Sequence, residues 1–162
     1  MKRLIKHIQD EWYAAKKAAK TLCESKGDYG MAFKLEECEM FKGNETLEEL
    51  IDLMFTSKGI EFMTQYNFPD LATFRKFKKY HPEQFGVYID CGKISLTEVR
   101  RVFLVGKTTA TVNYRETAGN RLYLMHGAAA SIVASGYSVV KVEKDDSSNV
   151  DCSINDRAKV LW

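Results

Sequence analysis

The sequence predicts an α+β protein. A helical N-terminal region caps a small C-terminal two-sided parallel β-solenoid with a coil of about 20 residues. Three observations predict it. Apolar residues recur every ten positions: Val102, Val112, Leu122, Ile132, Val142, Cys152 and Trp162 form one column. Ala110, Asn120, Ala130, Val140, Val150 and Val160 form a second, and Leu104, Tyr114, Leu124, Ala134, Lys144 and Ile154 a third. Within each unit the apolar residues alternate, as in Ala158-Lys159-Val160-Leu161-Trp162, the period-two mark of a half-buried strand. Turn formers separate the units: Gly106, Gly119-Asn120, Gly127, Gly136, Asp145-Asp146-Ser147 and Asn155-Asp156.

One such unit is too short to close a coil around a core, and two can close one. Successive coils then stack parallel strands about 4.8 Å apart. Val102, Leu122, Val142 and Trp162 fall on one sheet, and Val112, Ile132 and Cys152 on the facing one. Ala110, Ala130 and Ala134 suit the thin core between them. The alternative is an antiparallel meander or sandwich. The constant parity of the columns favours the solenoid, because meander turns vary in length.

The N-terminal region, residues 1–85, opens on a helix over 3–25. Leu4, Ile5, Ile8, Trp12, Ala15, Ala19, Leu22 and Cys23 share one face, and Gly27 supplies the stop. The lysines opposite read as a solvated face. Residues 28–43 read ambiguously, with a short helix around Leu35–Phe41. Thr46 and Glu49 form a capping box that opens a helix carrying Leu47, Leu50, Ile51, Met54 and Phe55, with Gly59 as its end. Residues 60–68 fit a further helical turn or a strand. Pro69-Asp70 opens a helix over 71–79, which Pro82 stops. Val87–Cys91 and Ile94–Leu96 read as the strands of a first, irregular coil of the solenoid, which spans residues 86–162. The two regions are expected to form one cooperative unit.

Composition sets bounds on function. Lys plus Arg is 24 and Asp plus Glu is 22, a net charge of +2. Residues 1–85 hold 14 basic and 14 acidic residues, and the rest 10 and 8. A dedicated nucleic-acid binder carries a strong basic excess, so this balance argues against one. No apolar run reaches the length of a membrane span, and neither end carries a signal or lipidation pattern. Cys23, Cys38, Cys91 and Cys152 lack metal or disulfide spacing and read as reduced thiols of a cytoplasmic protein.

Motifs for chemistry are sparse. Gly106-Lys107-Thr108-Thr109 lacks the first glycine of a phosphate loop, since Arg101 stands there, and strand-forming residues follow it. No catalytic residues, metal ligands or cofactor site are read. Three candidate sites remain. The coil length places His126 and Asp146 side by side on a turn edge, a pair with the chemistry for acid–base work or ligand binding but more often a surface contact. Arg75, Lys76, Lys78 and Lys79, interleaved with Phe74 and Phe77, offer a weak phosphate-backbone surface, with the phenylalanines better read as core. Leu161 and Trp162 leave an apolar open end on the last coil, which invites self-association or a protein partner.

Units such as Ala130-Ser131-Ile132-Val133-Ala134-Ser135-Gly136 and Ser148-Asn149-Val150 resemble the short-coil β-solenoid repeats of uncharacterised bacterial proteins and, more loosely, the polymerising β-helices of the bactofilin type. The likeness covers residues 86–162 and leaves out the helical region, which bactofilins lack. It implies assembly or scaffolding and carries over no site residue. The expected function is a non-enzymatic interaction or assembly protein associating through the solenoid.

Overall fold

The periodicities of the sequence become five α-helices and nine strands in a computed structural model that describes all residues from Met1 to Trp162. The chain divides into two units, Met1–Thr73 and Phe74–Trp162.

The first unit holds α1 (Lys2–Ser25), α2 (Tyr29–Glu37), α3 (Leu47–Met54), α4 (Ser57–Tyr66) and the start of α5 (Leu71–Phe77). Leu4, Ile5, Ile8, Trp12 and Ala19 of α1 are buried, as their shared face requires. Trp12 meets Phe41 edge-on at 5.5 Å, and Phe41 meets Phe68 at 6.4 Å. The helix expected around Leu35–Phe41 lies earlier, because the Asp28 carboxylate accepts the Met31 amide and opens α2 there. Lys16 then donates to the carbonyls of Glu36 and Cys38 at the end of α2, both at 2.7 Å. The capping box at Thr46 and Glu49 forms as read. Gly59 does not end α3. It lies inside α4, which Thr56 caps, and a Cβ there would stand 2.2 Å from the Leu53 carbonyl. The glycine is needed for close approach of two backbones, a role the sequence shares with helix stops.

The second unit is a parallel β-solenoid of about four turns, preceded by the end of α5 and two 3-10 turns, Lys78–Tyr80 and Pro82–Phe85. Its strands are β1 (Val87–Ile89), β2 (Gly92–Thr97), β3 (Arg101–Val105), β4 (Thr108–Tyr114), β5 (Gly119–Met125), β6 (Ala129–Ala134), β7 (Val139–Lys144), β8 (Asn149–Ile154) and β9 (Lys159–Leu161). Odd strands form one sheet in the order β1-β3-β5-β7-β9, and even strands the other, β2-β4-β6-β8. Every ladder is parallel, which excludes the meander. From β3 onward each strand pairs with its counterpart two repeat units on, as in Val102 with Leu122 and Ile132 with Cys152. The first coil is shorter than those that follow: Val87 faces Phe103 and Gly92 faces Thr108.

Val102, Leu104, Val112, Leu122, Leu124, Ile132, Val140 and Val142 point between the sheets with Ala110, Ala130 and Ala134. Tyr114 lies among them, with its hydroxyl donating to the Val99 carbonyl at 3.0 Å. Tyr114→Phe is expected to destabilise the solenoid by about 1 kcal/mol, since it leaves that carbonyl without its donor; a denaturant midpoint unchanged from wild type would show that water replaces the hydroxyl at no cost.

The two sheets differ on their outer faces. Thr109, Thr111 and Ser131 on the even sheet are exposed, as alternation predicts. Phe103, Val105, Tyr123 and Met125 on the odd sheet are fully buried. Phe103 stacks edge-on between Phe74 at 5.7 Å and Tyr123 at 6.1 Å. The stretches Arg101-Val102-Phe103-Leu104-Val105 and Arg121-Leu122-Tyr123-Leu124-Met125 carry unbroken apolar runs, the signature of strands covered on both faces.

Candidate functional site

The corners of the solenoid are held by carboxylates that reach from one coil to a backbone amide of its neighbour. Asp90 accepts the Lys107 amide at 2.8 Å, Glu98 the Arg115 amide at 2.6 Å, Asp145 the His126 amide at 2.7 Å and Asp156 the Gly136 amide at 3.0 Å. Corner residues need the left-handed backbone region: Asp90, Gly106 and His126 have φ of 49°, 64° and 59°, and Gly136 and Asp156 64° and 58°. Turn amides left over by the parallel ladders thereby find acceptors.

His126 belongs to this scaffold. The neighbour expected for it was Asp146, one coil on; the structure brings Asp145 to it instead. Asp145 is buried, and besides the His126 amide it accepts the hydroxyls of Ser147 at 2.9 Å and Ser148 at 2.7 Å. Asp146 is exposed. The reason is the corner geometry: the residue directly after β7 turns inward to the amides of the previous coil, and the next one points to water. The His126 ring packs on Phe74, with centroids 5.6 Å apart. Its site is a packed turn rather than an open cleft.

The basic stretch divides. Phe74 and Phe77 are buried, as the core reading required. Arg75 donates through Nε to Asp90 Oδ2 at 2.6 Å, and Lys78 reaches the Asp90 carbonyl at 3.4 Å. The Arg75 guanidinium, with help from the Lys107 amide, holds the Asp90 carboxyl below its ordinary range. Lys79 lies over the Tyr80 ring at 5.1 Å, and Lys76 is exposed. Arg75 thus fastens α5 to the first corner of the solenoid.

A polar cluster absent from the sequence reading lies in the first unit. Glu11 Oε1 accepts the Thr73 hydroxyl at 2.6 Å and lies 2.7 Å from His7 Nε2, which is 3.2 Å from Thr73 Oγ1. One ring nitrogen faces both partners, so the histidine cannot relay a proton from hydroxyl to carboxylate as a hydrolytic triad does. The spacing of His7 and Glu11 was visible; Thr73, far off in the chain, was not. No group of three or more His, Cys, Asp or Glu side chains has the arrangement to hold a metal ion.

The last coil differs from those before it. Val112 and Ile132 are buried, but Cys152 in the same column is exposed. Ile154, which follows the buried Tyr114 and Ala134, is 48% exposed. Leu161 is 48% exposed and Trp162 70%. β8 and β9 each pair on one side only, so two adjacent strand edges and the inward residues between them face solvent together. Of the two apolar residues that the sequence marks at this end, Leu161 stacks on the outward-facing Lys141, and Trp162 follows β9. No helix is long and apolar enough to cross a membrane. Compared with family models, curated proteins and solved structures, the chain matches none.

Proposed function

We propose that this is a non-enzymatic assembly protein that associates through the last coil of its β-solenoid. One observation carries the reading: core-facing positions that are buried in earlier coils lie open in β8, beside two unpaired strand edges. A paired edge with a continuous core is the stable form of such a coil, and an open one recruits strands. The rigid scaffold of corner carboxylates supports the reading, because it presents those edges in a fixed geometry. Its four cysteines stand as free thiols, which suits a cytoplasmic setting.

Light scattering on the full chain and on a form lacking residues 157–162 tests the proposal. The whole chain is expected to associate and the shortened one to remain monomeric, since the deletion removes β9 and its exposed Leu161 and Trp162. Trp162→Glu is expected to weaken association at least tenfold, corresponding to about 1.4 kcal/mol or more for a charge driven into an apolar contact. A whole chain that is monomeric at high micromolar concentration would rule the assembly reading out.

A further inference from the structure

We infer that one edge of the solenoid binds the phosphate backbone of a single-stranded nucleic acid, a function separate from the last coil and from the assembly reading.

The edge consists of the corners that carry each even strand into the next odd strand, together with the outer face where the odd strands begin. Arg100 lies at the corner before β3, Arg115 at the corner before β5 and Arg157 at the corner before β9. Arg101, Arg121 and Lys141 stand directly opposite one another on β3, β5 and β7. Lys159 of β9 lies opposite Val139, two positions before Lys141. All seven side chains are exposed. They are seven of the 10 basic residues in 86–162. Of the 8 acidic residues, Asp90, Asp145, Asp146 and Asp151 lie elsewhere on the solenoid. The four on this edge are already engaged: Glu98 and Asp156 accept the amides of Arg115 and Gly136, Glu116 pairs with Arg100 at 2.8 Å, and Glu143 pairs with Lys141 at 2.5 Å. The positive excess of the unit therefore sits on one edge, and the near-neutral balance of the whole chain conceals it.

Three features select the ligand. The first is the ladder itself. Its rungs are about 4.8 Å apart, and like charges directly opposite repel, so the ladder is costly alone and favourable beside a row of anions. The next outward column holds Phe103, Tyr123 and Glu143, so β3 and β5 place no carboxylate there. The second is residue type. Five of the chain's seven arginines lie on this edge, and the guanidinium fork grips phosphate oxygens in pairs where an ammonium acts as a point charge. The third is Tyr137, 58% exposed at the corner before β7, with the Arg157 guanidinium 5.7 Å from its ring centroid. An exposed ring beside a basic ladder offers a stacking face to an unpaired base. An acidic peptide has no base to place there, and a duplex keeps its bases stacked within itself.

Fluorescence anisotropy of the full chain with a labelled oligothymidylate, titrated across salt concentrations, tests the inference. Binding is expected at low salt, with log K falling against log salt at a slope of about −2 to −3, as three or four neutralised phosphates require. Arg101→Gln/Arg121→Gln is expected to weaken binding about tenfold or more and to flatten the slope by about 1.4. Tyr137→Ser should weaken it about fivefold or more at unchanged slope, because it removes stacking and no charge. Lys76→Gln/Lys79→Gln, on the other basic stretch, should change neither. Absence of binding at low salt overturns the inference, as does binding that the arginine variant leaves intact. Poly-glutamate that displaces the probe as well as unlabelled oligothymidylate does, with Tyr137→Ser without effect, overturns it in favour of an acidic protein partner. Should the double variant fail to fold, Tyr137→Ser and the salt slope of the unmodified chain still decide.

Discussion

Phe103→Ala is expected to lower the unfolding free energy by about 4 kcal/mol, whereas Thr111→Ala should change it by no more than about 0.5 kcal/mol. Both residues sit on outer faces of the solenoid, and by strict alternation both belong in water. The structure separates them. Thr111 is exposed on the even sheet. Phe103 is fully buried, with Phe74 and Tyr123 packed edge-on against it. Removing the ring opens a cavity between rigid neighbours, and β3 is paired on both sides by β1 and β5, so the site has little freedom to collapse. Denaturant unfolding of the two variants checks the difference. Equal, small effects would mean that the outer face of the odd sheet is not part of the core.

That contrast shows how much of the fold the sequence carried. The columns through Val102, Val112, Leu122 and Ile132 specified the coil length and parity, because a solenoid core tolerates no slip without turning each side chain to the other face. Thr46 and Glu49 marked a helix start, because capping is local chemistry between residues three apart. Gly59 misled, since a glycine that admits a neighbouring carbonyl looks the same in sequence as one that ends a helix. The burial of Phe103 and Tyr123 was written in their unbroken apolar runs, but the repeat columns report on one face only. The candidate sites were less legible. Position counting put His126 beside Asp146, because it treats a corner as a straight stretch; the inward turn after β7 gives the contact to Asp145. Arg75 read as a free cation, and its partner Asp90 lies across a turn that periodicity does not describe. At the last coil, Trp162 continues the column of Val102, Leu122 and Val142 that earlier coils bury, whereas Leu161 follows the exposed Arg101, Arg121 and Lys141.

The corner carboxylates make the second large prediction, that Asp145→Ala costs about 2–3 kcal/mol at pH 7. Asp145 is a buried acceptor for three donors, the His126 amide and the hydroxyls of Ser147 and Ser148. Alanine leaves the first of these without its acceptor at a corner whose left-handed backbone depends on it. Burial works against the charged form of Asp145, but the His126 amide and the two hydroxyls outweigh it and hold the carboxyl below its ordinary value of 3.8. A carboxylate depressed in the folded state adds stability that is fully present above its unfolded value and is lost as pH falls through the folded one. Wild type and Asp145→Asn should therefore differ by a constant amount from pH 7 to about pH 5, and the gap should narrow only below about pH 4. Asp90, also depressed, is common to both proteins and cancels from the comparison. Denaturant midpoints measured from pH 7 to pH 3 give the result. A gap that stays constant down to pH 3 would show that the charge on Asp145 contributes nothing and that the corner is held by its neutral hydrogen bonds alone. A gap that closes on acidification would identify the charged corner staple as part of what keeps successive coils in register.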